Sequence, residues 1–221
     1  TMQKFSHERA FAAFAAHEYD VMIGTQMVAK GLDFPGVTLV GVLCTDQGLY
    51  SDDYRSFERT FSLITQAVGR AGRGEKKGRA YIQTYSPENP VIELAGTQQY
   101  ERFFSMEIQS RRLGLYPPYC ALCALGVTGE SEEAVREASG ELLAALEKVA
   151  GGNYPSLPLR VLGPSDFSLY RMAGRYRRKI LIKCRNDARL RAMLRETLDL
   201  YAHTRRKTKV TVFVDMYYDS Y

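Results

Sequence analysis

The sequence predicts an α/β protein in two parts, a piece of parallel sheet followed by a four-stranded, two-helix unit. Three observations carry that expectation. Before residue 90, short apolar runs alternate with helical stretches, as strands of a parallel sheet do. After residue 118 the elements read β-α-β-β-α-β, the split βαβ or ferredoxin-like order. Between them lies Tyr116-Pro117-Pro118-Tyr119, expected to be a stiff polyproline-like connector. The expected segments are therefore 1–90, a connecting helix and linker over 91–117, and 118–221.

Each element has its own warrant. A helix over 6–17 has Ser6 available as N-cap and places Phe11 and Phe14 on one face. Asp20 to Gly24 (DVMIG) reads as a short buried strand. Val37 to Cys44 (VTLVGVLC) is almost wholly apolar, the pattern of a strand covered on both faces. A helix over 54–69 follows, ended by Gly72 and Gly74, and Arg79 to Tyr85 makes a third strand. Three strands are few for such a sheet, so this unit is expected to be truncated at its N-terminal side. Pro87 and Pro90 bracket the entry to a helix over 91–113. Beyond the connector come a strand over 119–128, a helix over 131–149, a Gly-Gly-Asn loop, strands over 159–163 and 176–184, a helix over 187–202 and a strand over 209–215. Acidic residues open the first of these helices, and Asn186 is the expected cap of the second.

Composition narrows the function. The 221 residues are 45% hydrophobic and 25% charged, enough to bury a core. The net charge of +5 conceals an asymmetry: residues 170–209 hold 14 basic and 3 acidic side chains, while the remainder is net acidic. A polyanionic partner therefore belongs at the C-terminal end. The longest uncharged run, Leu113 to Gly129, has 17 residues and two prolines, so no membrane-spanning helix fits it. The apolar stretch Ala10 to Ala16 imitates a signal peptide, but Glu8 sits where a basic residue belongs. Four cysteines without a secretion signal read as reduced thiols of a cytoplasmic protein. Cys120 and Cys123 have metal-ligand spacing, yet residues three apart on a strand point to opposite faces, so no metal site is expected. His7, His17 and His203 read as surface residues.

Three clusters carry candidate chemistry. In Gly24 to Pro35, Gly24 lets a phosphate approach the backbone, and Thr25 offers a hydroxyl and an amide. Gly31 and Asp33 add a tight turn and a carboxylate beside it. In Gln66-Ala67-Val68-Gly69-Arg70-Ala71-Gly72-Arg73, helical spacing puts Gln66, Arg70 and Arg73 on one face, while Gly69 and Gly72 leave room for something bulky. The planar guanidinium fork suits phosphate oxygens. The third cluster runs from Tyr170 to Lys179 and interleaves aromatics with cations. It includes Arg175, Tyr176, Arg177, Arg178 and Lys179, and its composition suits phosphate contact and base stacking on single strands.

The first two clusters resemble motifs V and VI of superfamily 2 helicases, in the second RecA-like lobe. The long form GTQMVAKGLDFPGVTLVGVL, then DDYRSFERTFSLITQAVGRAGRG, resembles the primosomal protein N′ (PriA) family of replication-restart DNA helicases. The likeness runs through the whole chain, and two departures stand out: Ala67-Val68 where the family more often has Val-Ala, and Asp-Met-Tyr-Tyr over 215–218. It implies a partial helicase lobe 2 followed by a ferredoxin-like nucleic-acid-binding domain, from an ATP-dependent 3′-to-5′ helicase that restarts stalled forks. It further implies Arg70, Arg73 and Gln66 at the γ-phosphate, Gly31, Asp33 and Gly69 around the nucleotide, and Thr25 on the DNA backbone. Expected partners are single-stranded and forked DNA, with other primosome or single-strand-binding proteins possible. The Walker A loop and an Asp-Glu dipeptide are absent. Gly69 to Gly74 has Glu75 where the lysine belongs, so ATP and Mg²⁺ are expected to bind mostly outside this chain, as is the family's zinc. The rival readings are a stand-alone nucleic-acid-binding or protein-docking module with a degenerate helicase half, and an RNA-acting helicase of the same superfamily.

Overall fold

A computed structural model describes residues 6–25, 34–51, 53–71, 78–204 and 209–218. The chain divides into two compact units, Thr1–Ser51 with Arg55–Glu107, and Asp52–Tyr54 with Ile108–Tyr221.

The first unit contains α1 (Ser6–Ala15), β1 (Leu39–Val42), α2 (Asp46–Leu49), α3 (Ser56–Val68), β2 (Arg79–Ile82) and α4 (Pro90–Gly96), and α5 (Tyr100–Gly114) begins in it. β1 and β2 pair in parallel, Leu39 opposite Arg79 through Val42 opposite Ile82, with α3 as the crossover. Phe57, Phe61, Ile64 and Val68 recur at helical spacing on α3 and pack with Val40, Val42, Val91 and Phe103. Phe61 stacks on Phe103, with ring centroids 4.1 Å apart. α4 starts as its sequence dictates: Pro90 occupies the first turn, and Asn89 Oδ1 accepts the Val91 amide at 2.9 Å.

Four expectations in this half and the connector that follows it need correction. Asp20 to Gly24 forms no strand, and Val21 and Ile23 are 73% and 91% exposed. A strand needs a pairing edge and a covering layer, and the described residues offer this segment neither. Only Leu39–Val42 of the expected second strand is paired, and it is not covered on both faces. Val40 and Val42 face the core, whereas Leu39 and Leu43 alternate to the bare side. The expected helix over 91–113 is two helices. Gln98 turns left-handed (φ 55), with the Gln99 amide on Leu94 O and the Gln98 amide on Ala95 O, which is a Schellman stop. Finally, Tyr116-Pro117-Pro118-Tyr119 is a turn closed by the Tyr119 amide on Tyr116 O at 2.9 Å, whereas polyproline II has no such internal bond.

The second unit holds the end of α5, then β3 (Ala121–Gly129), α6 (Glu132–Asn153), β4 (Leu159–Met172), β5 (Arg175–Cys184), α7 (Ala188–Thr204) and β6 (Val210–Asp215). Its sheet order is β4-β5-β3-β6, every neighbouring pair antiparallel, which is the ferredoxin-like arrangement. β3 lies in the centre and is buried along nearly its whole length. One sheet face presents Cys123, Leu125, Val127, Ile180 and Ile182 to Val135, Leu142 and Leu146 of α6 and to Leu190, Met193 and Leu194 of α7. Fully buried leucines of this kind typically contribute about 2–5 kcal/mol each when truncated to alanine.

Three details differ from expectation here. Gly151, Gly152 and Asn153 complete α6 instead of forming a loop. β4 runs to Met172, well past residue 163, because its far half pairs with the basic strand β5 across two register shifts. The cap of α7 is Asp187, whose Oδ1 accepts the Leu190 amide at 3.0 Å, while Asn186 Oδ1 accepts from Arg191 instead. That amide bond holds the Asp187 carboxyl below its ordinary pKa.

Candidate nucleic-acid interface

The two units carry different parts of the expected site. In the first, α3 runs antiparallel to the strands it connects, so its C-terminal turn lies at the end where β2 begins. The turn tightens there: the Gly69 amide bonds Thr65 O at 3.0 Å, the Arg70 amide bonds Ala67 O at 3.0 Å, and the Ala71 amide bonds Val68 O at 3.1 Å. Gln66 is exposed and Arg70, four residues on, is half-buried. A Cβ added to Gly69 would stand 3.2 Å from Thr65 O and 3.5 Å from the Gln98 amide nitrogen, so the absent side chain leaves that turn closely approached. Thr25 is exposed. Gly31, Asp33, Gly72 and Arg73 lie outside the described residues.

At the opposite end of the parallel pair is a polar network that sequence reasoning missed. Thr45 Oγ1 donates to Gln83 O at 2.7 Å, and Thr84 Oγ1 donates to Asp46 Oδ1 at 2.9 Å. The Tyr85 amide also reaches both Asp46 oxygens, at 3.2 and 3.1 Å. This network ties together the chain leaving β1 and the chain leaving β2. Its one sequence signal was position, directly after each strand.

In the second unit the pleat divides the basic strand. Arg175, Arg177, Lys179, Leu181 and Lys183 alternate to the sheet face that lacks helices, and Tyr176, Arg178, Ile180 and Ile182 to the helix side. The five expected contact residues of this strand therefore do not share one face. Tyr176 packs on the core beneath the guanidinium of Arg171, 5.0 Å from its ring centroid. Arg178 pairs with Asp166 at 3.2 Å and donates to Pro164 O at 2.9 Å. On the open face, Arg175 donates to Thr128 Oγ1 and Thr211 Oγ1, both at 3.4 Å. Arg177 lies 4.4 Å over the Phe167 ring, and Lys179 lies 5.1 Å from that ring and 3.0 Å from Tyr218 Oη.

The open face has two halves. Around the N-terminal end of β3 it is closed by Leu122, Ala124 and Tyr218, with Tyr54 and Tyr116 packed against them. Tyr54 stacks on Tyr116 at 5.2 Å and 7°, with Arg111 over the Tyr54 ring. Lys183 is buried in this half, its ammonium 3.5 Å from the Tyr116 ring centroid and donating to Gly114 O, one of the orphan carbonyls that end α5. The other half, toward the β4–β5 hairpin, is open. Phe167, Phe213, Thr128 and Thr211 there were not singled out from sequence. The period-two alternation opposite the core face was the available signal.

One expectation about thiols can be set against geometry. Cys123 faces the helix-side core and Cys120 the open-face cluster, so the pair diverges as strand spacing requires. Burial pushes the Cys123 thiol up to about 12 and Cys184 up to about 11, and raises Cys120 as well. The three histidines are exposed. No helix among the described residues is long and apolar enough to cross a membrane.

Known proteins match both units. Residues 1–75 match the helicase conserved C-terminal domain, and residues 112–217 match the primosomal protein N C-terminal domain. The chain is 41% identical over 216 residues to the replication restart protein PriA of Bacillus subtilis (strain 168), which is 98% of this chain and 26% of that protein. It is 40% identical to the protein of the same name from Synechocystis sp., over 83% of this chain and 21% of that one. For Rickettsia conorii the identity is 35%, over 83% of this chain and 27% of that protein. The chain thus spans about a quarter of the length of these relatives.

Proposed function

We propose that this chain, a member of the PriA family of replication restart proteins, is the C-terminal part of an ATP-dependent 3′-to-5′ DNA helicase that binds forked DNA. One observation carries the reading: a helicase-type Gln66…Arg70 helix end and a separate basic, open-faced sheet stand on the same chain, in the order the family has them. Guanidinium groups fit a phosphate chain in their chemistry. Arg70 and Arg73 would stabilise charge on the γ-phosphate, and Gln66 would position that end of the nucleotide or its attacking water. Thr25 would sit on the DNA backbone, with Gly31 and Asp33 linking that contact to the nucleotide.

The fit is partial, and the partial fit is informative. Among the described residues no cluster of three or more acidic, histidine or cysteine side chains could hold a metal ion. With no phosphate loop in the sequence, ATP and Mg²⁺ would be held mainly by the rest of the protein, the nucleotide supplying the γ-phosphoryl group that passes to water. What this chain contributes is positive charge at one end of α3 and a DNA-binding domain over 118–221. The primosome and single-strand-binding proteins are candidate partners on the same reading.

The direct test is binding by the chain itself. Fluorescence anisotropy with labelled single-stranded DNA, forked DNA and RNA of matched length should give DNA binding that weakens as salt rises. Absence of DNA binding at low salt, or a clear preference for RNA, would overturn the assignment.

A further inference from the structure

We propose that single-stranded DNA crosses the second unit on the hairpin half of its open sheet face, with phosphates on Arg175, Arg177 and Lys179 and a base stacked on Phe213. The inference rests on the reading that this domain binds DNA, and adds which face does so and through which groups.

Charge separates the two faces. The hairpin half of the open face is built from Gly126 and Thr128 of β3, Thr211 and Phe213 of β6, Phe167 of β4 and the three cations of β5. None of these is a carboxylate. On the helix side, Arg178 pairs with Asp166, and the cleft that holds Tyr170, Tyr176, Arg136, Arg177 and Arg178 is also lined by Glu132. A polyanion would meet two carboxylates among the cations there, and none among the groups of the hairpin half. The other end of the open face is closed by the Tyr54, Tyr116 and Tyr218 layer, so the free path is confined to the hairpin half.

Geometry supports the same path. Alternate residues on a strand stand about 6.8 Å apart, twice the roughly 3.4 Å axial repeat of one DNA strand, so cations at 175, 177 and 179 can follow a single phosphate backbone. Their heads are held in place: Arg175 by Thr128 and Thr211, and Arg177 by the buried Phe167 ring. Phe213 is the accessible ring beside them, 37% exposed and lying across Gly126, whose missing side chain makes the floor on which it rests. A base needs such a ring with one free face.

The experiment is a salt series of anisotropy titrations of the whole chain with labelled oligothymidylate of about 16 nucleotides. Three single-strand phosphate contacts imply a log–log slope of about −2, so these cations alone account for a roughly 20-fold loss of affinity between about 50 and 200 mM salt. The variant Arg175→Gln/Arg177→Gln/Lys179→Gln should lose that dependence. Phe213→Ala should weaken binding about 5- to 150-fold with the slope unchanged, because stacking releases no counterions. Arg191→Gln/Arg195→Gln on α7 should bind like the parent. Thermal unfolding of each variant shows that the fold is kept. If the parent binds but the β5 triple variant matches it while the α7 variant fails, this path is wrong and the broader reading survives. If the parent does not bind at all, the broader reading fails first.

Discussion

Gly126 and Phe213 provide a two-residue test of how the open face is built. A Cβ added at Gly126 would fall inside the envelope of the Phe213 ring, overlapping Cζ and Cε1 and reaching 2.6 Å from Cε2, where ordinary carbon contacts need about 3.5–4.0 Å. The backbone cannot yield, because Gly126 is paired on both sides, to Lys179 and to Phe213 itself. The ring, being partly exposed, is what moves. Gly126→Ala should therefore cost at the low end of the overpacking range, about 1–2 kcal/mol. In a Phe213→Ala background the obstacle is gone, and the same substitution should cost nothing or stabilise by a few tenths of a kcal/mol. The coupling in the double-mutant cycle is thus about 1–2 kcal/mol, readable from urea midpoints at constant m. In the salt-series titration, Gly126→Ala alone should reproduce most of the Phe213→Ala loss of DNA affinity, since a displaced ring cannot receive a base. Additivity within about 0.5 kcal/mol would refute the contact on which the stacking argument stands.

Other consequences are simpler to read. The chain alone should show no ATP turnover above a buffer control, because it has no phosphate loop; turnover that co-purifies with it on every column would contradict this. With a thiol reagent on native protein, the exposed Cys44 should react first, while Cys123 and Cys184 should react only on unfolding, since burial keeps both protonated. Peptide mapping of the labelled sites checks the order. Glu196 accepts hydrogen bonds from Tyr154 Oη and Asn153 Nδ2, which hold its carboxyl below the ordinary value near 4.5. The sign is that of a depressed acid: its stabilisation is present above pH 4.5 and is lost as pH falls through the folded-state value. Glu196→Gln should flatten that acidic limb of the stability curve, and an unchanged limb would assign it to Asp187 or other carboxylates.

The order of elements was legible because each is locally determined. Alternation, turn residues and capping signals placed all four strands and both helices of the second unit within a few residues, apart from the length of β4. What was not legible depended on partners distant in sequence. Asp20 to Gly24 looks buried by composition, yet burial is conferred by a neighbouring strand, and none among the described residues pairs with it. The stops at His17, Gln98 and Leu115 use a left-handed residue other than glycine, so the usual glycine signal was missing. The basic stretch was rightly noticed as a run of cations and rings. Only pleating could divide it, sending Arg175, Arg177 and Lys179 to one side and Tyr176 and Arg178 to the other. Phe213 became visible as a candidate once β6 was registered against β3, which set its ring over Gly126.

The central claim is that this chain supplies phosphate-facing arginines to a DNA-stimulated motor. The most direct measurement is steady-state ATP turnover of the full-length protein, with single-stranded DNA or RNA of equal length, for wild type and Arg70→Ala. An arginine acting on the transferring phosphoryl group is worth about 10³–10⁵ in rate. The account predicts turnover stimulated by DNA, a fall of that order in the variant, and DNA affinity within a few-fold of wild type. Turnover that survives Arg70→Ala nearly intact, or that RNA stimulates as well as DNA, would contradict it.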